Sequence, residues 1–264
     1  MFAKRLISGV ILIAVIVASM IIDWACALTV TIFIGFGLYE FFTMLEKKGI
    51  MIYKYFGIGM GLVIPLSILS RFELTKKWEL LILLLGLLIL ILMQFRRRKN
   101  SGVIVDISTT LFGIVYVSWL FSFLIKIRYL EEGLGFLAAI LLITKLGDIG
   151  AYFIGTAFGK TPLLPRVSPK KSIEGAIAGL IFSIFGALIS QPFLHLSWWH
   201  LVLLGISLGV LGQLGDLSES LMKRDCEVKD SGNILPGMGG VLDEMDSLLF
   251  TAPAFYFFLS VILK

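Results

Sequence analysis

Residues 79–95 read ELLILLLGLLILILMQF, apolar on every face of any helix or strand they could form. A bilayer core takes roughly 20 residues of apolar helix, fewer where the ends are snorkelled, so this run has membrane-crossing length. It lacks the alternation of a barrel strand, and in lipid only a helix satisfies its own backbone hydrogen bonds. Eight further runs of the same kind, with Gly and Ala interspersed, lie at approximately 6–22, 25–45, 55–70, 107–127, 134–158, 175–193, 201–221 and 246–263. The expected fold is all-α: a polytopic integral membrane protein of about nine transmembrane helices. The third run is interrupted by Pro65 and the ninth is short.

Composition points the same way. Of 264 residues, 58% are hydrophobic and only 16% charged, against about 25% charged in a soluble domain. Mean hydropathy is +0.97. Disorder, a collagen-like repeat and an ordinary water-soluble enzyme are excluded. Cys26 and Cys226 lie far apart and form no CxxC, which argues against a disulfide framework or a structural zinc. Lys4 and Arg5 precede the first run as in a signal peptide. The second run follows almost at once and no small-x-small site precedes it, so the segment reads as an uncleaved signal anchor.

The net charge is +5, and its distribution matters more than its sum. With nine spans and a cytoplasmic N-terminus, the cytoplasmic connections hold 16 basic residues and the outer side 6: Arg71, Lys76, Lys77, Lys126, Arg128 and Lys264. His195 and His200, beside Trp198 and Trp199, fall on the outer side as an interfacial aromatic belt. The chain changes character near residue 130. Residues 1–130 read as transmembrane scaffold, and 131–264 as a catalytic region with two polar loops, about 159–174 and 222–245.

Eight of the 18 acidic residues fall between 213 and 246. Carboxylates beside membrane helices are costly unless paired, hydrated or metal-bound, so they are functional candidates. Asp216 and Glu219 are three apart on one helical face, and Asp243 and Asp246 repeat that spacing at the start of the ninth run. Hard oxygen donors of this kind suit Mg²⁺, held by one or two carboxylates plus substrate phosphates. The alternative is a solvated loop in which these acids pair with Lys223, Arg224 and Lys229. Asp148 lies mid-run, three residues after Lys145, and either forms a buried pair with it or lines a polar cavity. Gly237, Gly239 and Gly240 allow close backbone approach to a phosphate, or simply form a turn. Lys170 and Lys171, ahead of Ser172 and Glu174, flank a helix N-terminus suited to an anion, or anchor the span as positive-inside charge. Ser168-Pro169 reads as turn initiation.

Residues 218–246, SESLMKRDCEVKDSGNILPGMGGVLDEMD, resemble the signature of phosphatidate cytidylyltransferases, also called CDP-diacylglycerol synthases. Its pattern runs S-x-x-K-R-x4-K-D-x5-P-G-H-G-G-x-x-D-R-x-D. Ser220, Lys223, Arg224, Lys229, Asp230, Pro236, Gly237, Gly239, Gly240, Asp243 and Asp246 match it. Ser-Pro-Lys-Lys-Ser-Ile-Glu-Gly from Ser168 and Asp-x-x-Ala-Tyr-x-x-Gly from Asp148 resemble two further family segments in the expected order. Met238 stands where many members have His, and Glu244 where many have Arg.

The resemblance implies CTP + phosphatidate → CDP-diacylglycerol + pyrophosphate, dependent on Mg²⁺ and with room for a second cation. It implies metal coordination by Asp243, Asp246, Asp216, Asp148 and Glu219. Lys223 and Arg224 join Asp243 and Asp246 in catalysis. Ser168, Lys170, Lys171, Ser220, Lys229, Asp230 and the backbone of Gly239 and Gly240 bind substrate. A homodimer in the inner (cytoplasmic) membrane, its active site facing the cytoplasm, is implied, with no nucleic-acid partner. Two rival readings are an ion-coupled transporter, drawn from Lys145 and Asp148 within a span, and a CTP-dependent polyprenol kinase.

Overall fold

The computed structural model describes residues 2–70, 76–96 and 101–262, without the side chains of 2–6 and 76–79. Of the charge count above, Arg71, Arg97, Arg98, Lys99 and Lys264, and the side chains of Lys4, Arg5, Lys76 and Lys77, lie outside the described residues.

Each apolar run folds as helix. In order they are α1 (Phe2–Ile21), α2 (Asp23–Lys47), α3 (Lys54–Leu69) and α4 (Lys76–Gln94), then α5 (Val103–Gly113), a π-helical turn (Ile114–Trp119) and α6 (Leu120–Arg128) forming one rod. The chain continues with α7 (Gly133–Phe158), β1 (Pro162–Leu164), β2 (Ser168–Ser172), α8 (Ile173–Ile189), the single turn α9 (Gln191–Leu194), α10 (Trp198–Asp225) and α11 (Val241–Ile262). Among the described residues five segments are long and apolar enough to cross a membrane: Asp23–Lys47, Val103–Arg128, Gly133–Phe158, Trp198–Asp225 and Val241–Ile262. Ile7–Ile21, Lys54–Leu69, Leu80–Gln94 and Ile173–Ile189 are shorter apolar helices. The protein is thus an all-α polytopic membrane protein carrying one small antiparallel hairpin.

The chain divides into two compact units, 1–125 with 226–243, and 126–225 with 244–264. In the first, α2 packs on α1, α3 and the π turn. Leu38, Phe41 and Phe42 are fully buried from α2, with Phe41 and Phe42 edge to face at 5.7 Å. The Ser118 hydroxyl, inside the π turn, donates to the Gly61 carbonyl of α3. A hydroxyl in an apolar interior needs such a partner.

The second unit is built on a close α7–α8 pair. Gly147 and Gly150 of α7 face Ser183 and Phe182 of α8 so tightly that an added Cβ would collide. Small residues let helix backbones approach where lipid supplies no hydrophobic drive. Between these helices, β1 pairs with β2, Pro162 opposite Ser172 and Leu164 opposite Ser168. The turn expected at Ser168-Pro169 is displaced. It occupies 165–167, closed by Val167 N–H on the Leu164 carbonyl at 3.0 Å, and Ser168 opens the strand. Ser172 caps α8, its hydroxyl accepting from Gly175 N–H at 3.1 Å. α10 has 28 residues, about 42 Å of helix against an apolar core of about 30 Å. Its last turns, 218–225, carry most of its polar residues.

Candidate active site

Within the second unit, four elements deliver charge to one region. From β2, Lys171 Nζ meets Asp216 Oδ2 of α10 at 2.6 Å. One turn along α10, Glu219 is fully buried and paired with Lys223 at i, i+4. From α7, Lys145 Nζ lies 3.4 Å from Asp148 Oδ2 and 3.4 Å from the Glu244 carbonyl. From α11, Ser247 Oγ donates to Asp148 Oδ2 at 3.1 Å, and Asp246 lies within electrostatic reach of Asp216, Glu219, Lys145 and Asp148. Asp246 comes this close because Gly215 of α10 lies against its backbone, where a Cβ would strike the Asp246 carbonyl.

The cluster grades from deep to open. Glu219 is 0% exposed, while Lys145 and Asp148 are 42% and 41% exposed. Lys145–Asp148 is thus an ion pair with open faces, tied to α11. Among the described residues no three His, Cys, Asp or Glu side chains close on one point as a complete metal cage would. The donors are nevertheless carboxylate oxygens, two of them in half-exposed Asp216 and Asp246. Mg²⁺ typically takes one or two such groups and completes its shell with water and phosphates, so the donor chemistry fits it.

The hairpin is fastened on both sides. Arg224 Nε donates to the Val167 carbonyl at 3.1 Å. Glu174 accepts from the Lys160 and Thr161 N–H groups at 3.2 Å and from Thr161 Oγ at 2.9 Å. Its own backbone N–H, and then these Thr161 and Lys160 donors, hold its carboxyl down to about 2. Lys171 turns to Asp216 whereas Lys170, its neighbour in the strand, is exposed. Ser168 and Ser220 are half-buried.

The first unit holds the rest of the motif. Asp243 Oδ2 accepts from Gly240 N–H at 2.7 Å and Ser231 N–H at 3.1 Å. Gly239 N–H donates to the Leu235 carbonyl at 3.1 Å, and Leu235 N–H returns a bond to Gly239 at 3.0 Å. Gly237 and Gly239 adopt φ of 82° and 118°, which disfavour a side chain. The two N–H groups expected to face a nucleotide are thus engaged within the loop. Met238 Sδ stands near Gly9 of α1, and Ser8 Oγ donates to the Pro236 carbonyl at 2.9 Å. Lys229 and Asp230 are exposed at the loop's edge.

Compared with known proteins, residues 3–262 match the cytidylyltransferase family. The chain belongs to that family. A protein named phosphatidate cytidylyltransferase from Synechocystis sp. is 33% identical over 290 residues, 98% of this chain and 97% of its own. One of the same name from Bacillus subtilis is 34% identical over 265 residues, with the same coverage. A third, from Staphylococcus epidermidis, is 39% identical over 200 residues, covering 74% of this chain and 76% of its own.

Sequence reasoning missed one residue of this cytidylyltransferase's motif region. Glu40, in the middle of α2 and 2% exposed, accepts from Leu242 N–H at 2.9 Å and Ser231 Oγ–H at 3.3 Å. An acid inside an apolar run was the available signal. Its partners lie 191 and 202 residues away, which local patterning does not reveal.

Proposed function

We propose that this protein transfers the CMP moiety of CTP to phosphatidate, giving CDP-diacylglycerol and pyrophosphate for phospholipid synthesis. The observation that carries the reading is the full-length relationship to two proteins named phosphatidate cytidylyltransferase, with residues 220–246 inside the match. A phosphatidate phosphate oxygen attacks the α-phosphorus. A P–O bond forms there as the bond to the β-phosphate oxygen breaks, and pyrophosphate leaves with the electron pair. The lipid phosphate is already ionised near neutral pH, so no strong base is required. The difficulty is bringing an anion to a triphosphate and accommodating the charge that moves onto the leaving group.

Lys171, Lys223, Arg224, Lys170 and Lys229 supply positive charge for the phosphates, with Ser168, Ser220 and Asp230 as polar neighbours. Glu219 holds Lys223 in place. Asp216 and Asp246, with Asp148 beside them, would hold Mg²⁺, and the resemblance adds Asp243. A bound Mg²⁺ supplies charge neutralisation and a template for in-line transfer. A cytoplasmic N-terminus, favoured by the 16:6 charge split, places the polar turns of α10 and the motif loop on the side where CTP is found. We further propose a homodimer in the cytoplasmic membrane.

The test is purified protein with CMP-labelled CTP, phosphatidate or polyprenol as acceptor, with and without Mg²⁺. Chloroform-extractable label is expected only with phosphatidate and Mg²⁺. Label entering polyprenol instead, or none from folded protein, contradicts the reading.

A further inference from the structure

The motif loop is held from outside the motif. Glu40 reaches it from α2, one helix of the unit that contains 226–243. Its Oε2 takes the Leu242 N–H at 2.9 Å, with Val241 N–H also in hydrogen-bonding reach, so it occupies the start of α11 as a capping carboxylate would. The same oxygen accepts Ser231 Oγ–H at 3.3 Å. Ser231 is then gripped twice, because its N–H donates to Asp243 at 3.1 Å. Glu40 thus fixes both the residue before Asp243 and the residue that Asp243 itself binds. The loop is shaped to receive it: a Cβ on Gly232 or Gly240 would collide with the Glu40 carboxyl. Those glycines sit where they do partly because a carboxylate from α2 fills the space.

We infer that Glu40 is a positioning residue for the transfer reaction, setting Asp243 and loop 231–242 through the Leu242 amide and the Ser231 hydroxyl. Carboxylates seldom lie in an apolar helix interior, and this one is almost wholly buried with its contacts spent on a single loop. What it contributes is an acceptor at a fixed reach. Glutamine presents an oxygen at that reach; aspartate, one methylene shorter, does not. The inference rests on the cytidylyltransferase reading above, and wild-type activity in the same assay separates the two.

The experiment compares wild type, Glu40→Gln, Glu40→Asp, Glu40→Ala and Ser231→Ala for kcat, for KM of CTP and phosphatidate, and for hydrogen exchange of loop 231–242 without metal or substrate. An inactive wild type would remove the reaction itself. With an active wild type, Glu40→Ala and Glu40→Asp are expected to lose about 100-fold in kcat, the scale of a misplaced group, with little change in either KM. Their loop amides should exchange about tenfold faster. Glu40→Gln should stay within about threefold of wild type in kcat. Wild-type kcat in folded Glu40→Ala overturns the inference, whether or not the loop loosens; so does Glu40→Gln failing as badly as Glu40→Ala. Should Glu40→Ala and Glu40→Asp not fold, Ser231→Ala decides. A loss of about tenfold in kcat with unchanged KM supports the inference, and wild-type kcat overturns it.

Discussion

Asp243 has one observed duty and one proposed, and substitution can separate them. Its carboxylate accepts from Gly240 and Ser231 N–H groups, which orders the loop ahead of α11, and the proposed mechanism also gives it a part in the reaction. Asn keeps one acceptor oxygen but not the charge. Asp243→Asn is expected to abolish CMP transfer while unfolding in detergent at nearly the wild-type temperature. Asp243→Ala should lose transfer and, as with a lost helix cap, about 1–2 kcal/mol of stability. Full activity in Asp243→Asn would confine Asp243 to the structural duty. These residues show how far single-site reading extends. Asp216, Glu219 and Asp246 were conspicuous as acids among apolar neighbours, and Lys171 as half of a lysine pair. That Lys171, not Lys170, meets Asp216 depends on strand alternation in a hairpin that hydropathy does not register. Glu40 carried the same warning as Asp148 but had no motif around it.

The elements were legible wherever hydropathy alone decides them. Among the described residues each of the nine apolar intervals is mainly helical, and the ends shift where polar turns extend a helix. α10 runs to Asp225 instead of Leu221, and α11 begins at Val241, five residues before Asp246. α8 stops at Ile189 because Gln191-Pro192 starts the separate turn α9. The hairpin 162–172 is too short for alternation to show, and the π turn at 114–119 has no sequence mark. The hairpin's clasp, Glu174, yields a prediction at this scale. Its carboxyl is held near 2, below an ordinary value of 4.5. Its contribution to hairpin order is therefore complete above about pH 4.5 and lost as pH falls through about 2. Glu174→Gln should speed amide exchange at Lys160 and Thr161 by an amount constant between about pH 5 and 8, shrinking only as the wild-type carboxyl protonates. A difference that titrates near neutrality would contradict this.

At the scale of the molecule, composition divides the chain near residue 130, whereas packing divides it otherwise: 226–243 belongs with the first 125 residues. α1 and α2 hold the motif loop through Ser8 and Glu40, so helices outside the signature at 218–246 still order it. The family relationship accordingly runs the length of the chain, residues 3–262. The central claim, that the whole molecule moves a cytidylyl group onto a lipid phosphate, is tested most directly by where the label goes. Purified protein should be given phosphatidate, Mg²⁺ and CTP labelled at the α-phosphate in one reaction and the γ-phosphate in another. Label from the α position should enter the chloroform phase while that from the γ position leaves as pyrophosphate. Label from the γ position in lipid would make the protein a kinase and contradict the account.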